Sequence, residues 1–137
     1  MGESHLALLR ELLDLLDRYA ATVTVVAIGS DRETWLKVRG ALEVSGQCAI
    51  DLALHIVATR RLGMPQTYRD AFKLLAGAGV IDARLAGELE AWAGLRNVLA
   101  HVYTSLDLER LHSALGETAP LRAFAVIAAR ELNDAGA

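Results

Sequence analysis

The chain has 137 residues, 53% hydrophobic and 23% charged, with a formal net charge of −3. That is enough for one domain (residues 1–137) with its own core, too apolar for a disordered segment, and too acidic for a dedicated nucleic-acid-binding domain. Cys48 is the only cysteine, which excludes an intramolecular disulfide and any cysteine-based metal site within one chain.

Apolar spacing starts a first helix at once. Ser4 is placed to cap it, Leu6, Leu9, Leu13, Leu16 and Ala20 recur at three and four residues, and Gly29-Ser30-Asp31 breaks it. The N-terminus lacks the basic start of a signal peptide, and the longest apolar run, around Ala20 to Ile28, holds two threonines and is too short to span a bilayer. The expectation is a cytoplasmic protein with no membrane segment.

Asp31 or Ser30 then caps a long second helix to about Leu62, ended by Gly63-Met64-Pro65. Its residues from Ala41 to Val57 are apolar round most of the circumference, so the helix is expected to be buried nearly all round. One polar stripe remains: Arg39, Glu43, Gln47, Asp51 and His55, each four residues apart along a slowly drifting line. It is either a solvated strip of ion pairs or, in part, the wall of a polar cleft, in which Glu43 and Asp51 would support a site.

Thr67 starts a third helix, Tyr68 to Ala78, closed by Gly79. Asp82 caps a fourth that runs through Trp92, Asp107 starts a fifth ending near Gly116, and Thr118-Ala119-Pro120 opens a last helix to about Leu132. The fold class is therefore all-α, an up-and-down bundle of five to six helices with short connections.

The fourth helix carries Arg96, Asn97, His101 and Tyr103. With Arg96 at zero and about 100° per residue, Asn97 falls near 100°, His101 near 140° and Tyr103 near −20°. The four polar groups share one half of the helix, and Val98, Leu99 and Val102 are expected to pack on the other. These residue types suit cleavage of an RNA phosphodiester. Histidine can take a proton from the 2′-hydroxyl or give one to the leaving 5′-oxygen near neutral pH, and arginine offers a permanently charged, bidentate clamp for the phosphate. Asn97, four residues before His101, can orient the ring, and Tyr103 can contact a phosphate or stack on a base. No metal or other cofactor is expected, since His5, His55 and His112 show no paired-ligand spacing with His101. One histidine per chain leaves either the acid or the base unsupplied, so a homodimer with the motif at or near its interface is expected.

The Arg-x-x-x-x-His-x-Tyr pattern at Arg96, His101 and Tyr103, with a polar residue directly after the arginine, is similar to the signature of HepT-like ribonuclease toxins of the HEPN superfamily. The resemblance extends over nearly the whole chain. Arg39 to His55, with Ile50-Asp51-Leu52-Ala53, resembles the family's long second helix, and Thr67-Tyr68-Arg69-Asp70-Ala71-Phe72 resembles its third. It implies a HEPN-like helical bundle that acts as the toxin of a type VII toxin–antitoxin pair, a metal-independent endoribonuclease. It further implies Arg96 and His101 as catalytic and Asn97 as supporting. The implied partner is a minimal nucleotidyltransferase antitoxin that AMPylates Tyr103. Against this stands a reading of another class, a non-catalytic helical dimer that scaffolds a nucleotidyltransferase, which the acidic charge favours.

Overall fold

A computed structural model describes residues 2–101 and 107–136. Among the described residues the backbone forms seven helices and no strand: α1 (Gly2–Thr22), α2 (Val25–Ser30), α3 (Arg32–Thr59), α4 (Tyr68–Gly77), α5 (Ala83–His101), α6 (Leu108–Ala114) and α7 (Ala119–Gly136). The chain is all-α as expected, and the extra helix has a local cause. The first helix does not run unbroken to Gly29. It stops at Thr22, and Thr24, in an extended conformation, accepts a hydrogen bond from the Ala27 N–H at 3.1 Å to begin α2. Val23 and Thr24 are both β-branched, and threonine is a better cap than interior residue, so the apolar run from Ala20 to Ile28 is cut where its helix propensity is weakest. Ser4 caps nothing, because α1 is already under way at Gly2.

Short acidic and hydroxyl side chains start the later helices, as their positions in the sequence predict. Asp31 accepts from the Thr34 hydroxyl at 2.7 Å and the Glu33 N–H at 3.3 Å at the head of α3, and these bonds, that of Thr34 first, hold its carboxyl below the ordinary range. Thr67 accepts from the Asp70 N–H at 3.1 Å, Asp82 from the Leu85 N–H at 2.8 Å and Asp107 from the Glu109 N–H at 3.0 Å. Two helices end in the left-handed conformation. Gly79 (φ 76°) does so after α4, with the Val80 N–H reaching back to the Leu75 carbonyl at 2.9 Å. After α3 the same role falls not to Gly63, as the sequence suggests, but to Arg61 (φ 55°), with the Leu62 N–H bonded to the Val57 carbonyl at 3.0 Å.

Helix α3 is the spine. It packs against α1, α4, α5 and α7, and it buries Leu42, Ile50, Leu52 and Ile56 almost completely. By length and composition alone it is also apolar enough to cross a membrane, which the Ala20–Ile28 run is not. Its apolar faces are instead covered by the neighbouring helices. Leu9 and Leu16 from α1, Phe72 and Leu75 from α4, Leu89 and Leu99 from α5 and Phe124 from α7 complete the core, with Phe72 and Phe124 edge to face at 5.9 Å. Trp92, buried on α5, places its indole N–H on the Glu117 carbonyl at 3.0 Å, so this large ring is packed without stranding its donor.

Candidate functional site

Arg96, Asn97 and His101 occupy the last two turns of α5, and α3 and α4 decide how they are presented. Arg96 starts from a close approach of two helices. Gly46 of α3 is buried, and a Cβ built on it would stand 3.0 Å from the Arg96 Cβ and 3.5 Å from the Trp92 carbonyl oxygen. Only the missing side chain lets α3 and α5 meet this closely. The rest of Arg96 runs outward to the start of α4, where its guanidinium carbon lies 5.6 Å from the centroid of the Tyr68 ring, a cation–π distance. Its Nη1 donates to the Asn97 side-chain oxygen at 3.0 Å. Its Nε is buried and has no hydrogen-bond partner among the described residues. A guanidinium has five donors and no acceptors, so Arg96 is held in place by packing and one amide while much of its donor capacity stays unspent.

Asn97 is thus placed on Arg96. Among the described residues the His101 imidazole has no hydrogen-bond partner, on the Asn97 side chain or elsewhere, and it lies exposed at the C-terminal end of α5. Five residues separate it from Arg96, about 8–9 Å between Cα atoms on an ideal helix. Tyr103 and Val102 lie outside the described residues. Of the residues expected to pack on the far side of this helix, Leu99 is fully buried but Val98 is 40% exposed. The apolar half of the helix is therefore narrower than the wheel suggests, and an aliphatic side chain stands in solvent next to Asn97.

The polar stripe of α3 divides. Each step of four residues turns it by about 40°, so from Arg39 to His55 it swings through about 160° and serves two different neighbours. At the α5 end Arg39 donates through Nη2 to the Leu99 carbonyl at 2.6 Å, with Glu43 3.9 Å away and the Trp35 ring centroid at 5.5 Å. The Leu99 carbonyl belongs to the last described turn of α5, so Arg39 grips the part of the helix that bears His101 through a backbone acceptor. Glu43 touches that end through Arg39. Asp51 faces elsewhere: it accepts from Gln47 at 2.8 Å and pairs with His5 of α1 at 3.3 Å, and His55 packs beside Gly2. No cluster of three His, Cys, Asp or Glu side chains among the described residues could hold a metal ion.

Sequence reasoning assigned no role to Arg39, Tyr68 or Arg69. Arg39 stood in the stripe four residues before Glu43, the one available signal. Tyr68 and Arg69 could be read only as the start of a helix. The structure lays the Arg69 guanidinium over α5 at Gly94, its Nη2 2.7 Å from where a Cβ would be. Arg39, Arg69 and Arg96 thus converge on the second half of α5, and Glu43 is the only carboxylate paired with any of them in the described structure. A protein of net charge −3 carries here a local patch of positive charge.

The model of the Ribonuclease HepT-like family matches residues 9–126. The mRNA nuclease HepT of Shewanella oneidensis is 41% identical over 63 residues, a stretch that spans 46% of this chain and 47% of the relative. This chain thus matches about half the length of that relative. The tRNA nuclease HepT of Aphanizomenon flos-aquae is 28% identical over 113 residues, 82% of this chain and 76% of the relative. Among solved structures, the tri-AMPylated Shewanella oneidensis HEPN toxin in complex with its MNT antitoxin superposes with a TM-score of 0.82 at 24% identity, over 92% of this chain and 94% of that one, a likeness of fold.

Proposed function

Taking as premise that the chain belongs to the Ribonuclease HepT-like family, we propose that it is the toxin of a toxin–antitoxin pair, an endoribonuclease that needs no metal. The observation that carries this reading is Arg96: a guanidinium fixed by Gly46, Tyr68 and Asn97, with donors to spare, on the same helix as an exposed His101.

The chemistry follows from those groups. Arg96 clamps the scissile phosphate and stabilises the charge that gathers on its oxygens. One His101 imidazole takes the proton of the ribose 2′-hydroxyl, and the 2′-oxygen attacks the adjacent phosphorus. The bond to the 5′-oxygen breaks, and that oxygen leaves with a proton from a second His101. The products are a 2′,3′-cyclic phosphate and a 5′-hydroxyl. Two histidines require two chains, so the active species is a homodimer with the two motifs facing one cleft. Val98, exposed beside Asn97, is the apolar surface such a partner would cover. The inhibitor is a minimal nucleotidyltransferase that transfers AMP from ATP to the Tyr103 hydroxyl with release of pyrophosphate. The added phosphate and nucleoside place negative charge and bulk two residues from His101, where the substrate phosphate would bind. On this reading the protein works in the cytoplasm.

Purified protein is expected to cleave RNA in the presence of EDTA and leave cyclic phosphate ends, and His101→Ala to abolish the cleavage. Equal activity in wild type and variant would sink the catalytic assignment. Absence of any cleavage, together with tight association with the nucleotidyltransferase, would favour the scaffold reading that the net charge of −3 supports.

A further inference from the structure

We propose that Tyr68 and Arg69, at the start of α4, form a second binding subsite that takes the nucleotide flanking the scissile phosphate, with the base stacked on Tyr68 and its phosphate on Arg69. The proposal rests on the ribonuclease reading of Arg96 and His101 and extends the site beyond the motif.

Three observations carry it. The first is the position of the Arg69 guanidinium, which lies against bare helix. Its Nη2 occupies the space that a Gly94 side chain would begin to fill, at 2.7 Å, so α5 offers it a cradle. On α5, Gly94 and His101 are seven residues apart, so they fall within about 20° of each other, and Asn97 lies between them on the same face. Arg69 therefore stands over the face that presents His101, about 10 Å along the axis. The second is the absence of a protein counter-ion. Arg69 and Arg96 pair with no carboxylate among the described residues, which they share with Arg10, Arg18, Arg32, Arg61 and Arg130, but these two also sit on or against the second half of α5. Two unneutralised guanidinium groups on adjoining helices suit two successive phosphates of one strand better than one. The third is Tyr68. It is 39% exposed, its hydroxyl has no partner in the described structure, and Arg96 sits against its ring at 5.6 Å. An exposed ring anchored by a cation is a stacking platform for an unpaired base, a contact that tolerates any sequence. Single-stranded RNA is thus the ligand class that fits both side chains.

The test compares two substrates on the full-length protein: a dinucleoside monophosphate, which has only the scissile phosphate, and a fluorescent single-stranded oligoribonucleotide. Arg69→Gln is expected to raise KM for the oligonucleotide roughly three- to tenfold with kcat kept. The slope of log affinity against log salt should fall by about 0.7, one phosphate contact on a single strand. Cleavage of the dinucleoside should not change, and Arg69→Lys should restore the salt slope. Tyr68→Leu should weaken oligonucleotide binding at least about fivefold, and Tyr68→Phe should bind like wild type. Equal losses of Arg69→Gln on both substrates would overturn the subsite and reduce Arg69 to a support of the catalytic helix. Unchanged KM and salt slope in Arg69→Gln would overturn it as well. Binding separates this proposal from the nuclease reading. Wild type that binds the oligonucleotide without cutting it, with binding weakened by Arg69→Gln, keeps the subsite and rejects the nuclease. Wild type that neither binds nor cuts rejects both.

Discussion

Gly46→Ala isolates the contact that sets Arg96. In an open helix position, replacing glycine by alanine stabilises a protein by roughly 0.5–1 kcal/mol, since alanine loses less backbone freedom on folding. Gly87 on α5 is such a position, with nothing within 4 Å of a built Cβ. At Gly46 the new methyl would sit 3.0 Å from the Arg96 Cβ, against about 3.4 Å for ordinary contact, so the helices must part by about 0.4 Å. The neighbour is a Cβ fixed to the α5 backbone and cannot swing aside. Overpacking of this kind costs about 1–3 kcal/mol, which cancels or exceeds the helix gain. For a chain of this length each kcal/mol is worth about 3–5 °C in melting temperature. Gly87→Ala should therefore melt a few degrees above wild type, and Gly46→Ala about 3–15 °C below Gly87→Ala. The same 0.4 Å moves Arg96 relative to its phosphate, and with displacements near 1 Å costing on the order of 100-fold in rate, a several-fold loss of RNA cleavage is expected. The assay is a pair of circular-dichroism melts with cleavage rates measured well below either transition. A Gly46→Ala protein that melts as high as Gly87→Ala and cuts at the wild-type rate would refute the close approach as what positions the arginine.

Arg39→Met, which keeps bulk and removes the donor to the Leu99 carbonyl, should lower stability by about 1.5–3 kcal/mol and reduce kcat more than it changes KM; an unaltered kcat would show that the end of α5 does not need this bond. Cys48 is buried, and burial first, with the Asp51 carboxylate second, pushes its thiol up to about 11. Iodoacetamide at pH 8 should leave native protein unlabelled and label it fully once unfolded, and rapid native labelling would contradict the packing around α3. The folded thiol titrates higher than the unfolded one, so its contribution is fully present below about pH 9 and lost as the pH rises through about 11. Melting temperatures measured across that interval should fall more in wild type than in Cys48→Ala.

What was legible in the sequence divides by the range of the physics involved. Helix starts depend on one side chain and a neighbouring N–H, and Asp31, Thr67, Asp82 and Asp107 were readable on that ground. Breaks set by weak preferences were not: Thr24 outcompeted a continuous apolar run, and Arg61 took a left-handed position that local rules assign to Gly63. Arg96 and His101 were singled out by residue type and spacing. The partners of Arg96 were out of reach because they are tertiary, with Gly46 lying 50 residues away and Tyr68 on another helix. Asn97 shows the same limit. Spacing suggested a bond that orients the His101 ring, and the structure places the Asn97 side chain on Arg96 instead. The exposure of Val98 could not be read either, because a helical wheel gives direction and not what stands there to cover it.

The division of the α3 stripe makes this helix two devices on one shaft. Arg39 and Asp51 are 12 residues apart, about 18 Å along the axis, beyond the 7–10 Å within which side chains usually couple energetically. The grip on the end of α5 and the His5–Asp51 attachment of α1 are therefore separately adjustable. Substitutions at one end should add to those at the other without interaction. Selection, or an engineer, can alter how firmly α1 is fastened and leave the His101 end of α5 untouched, with the tight Gly46 contact as the fulcrum between them.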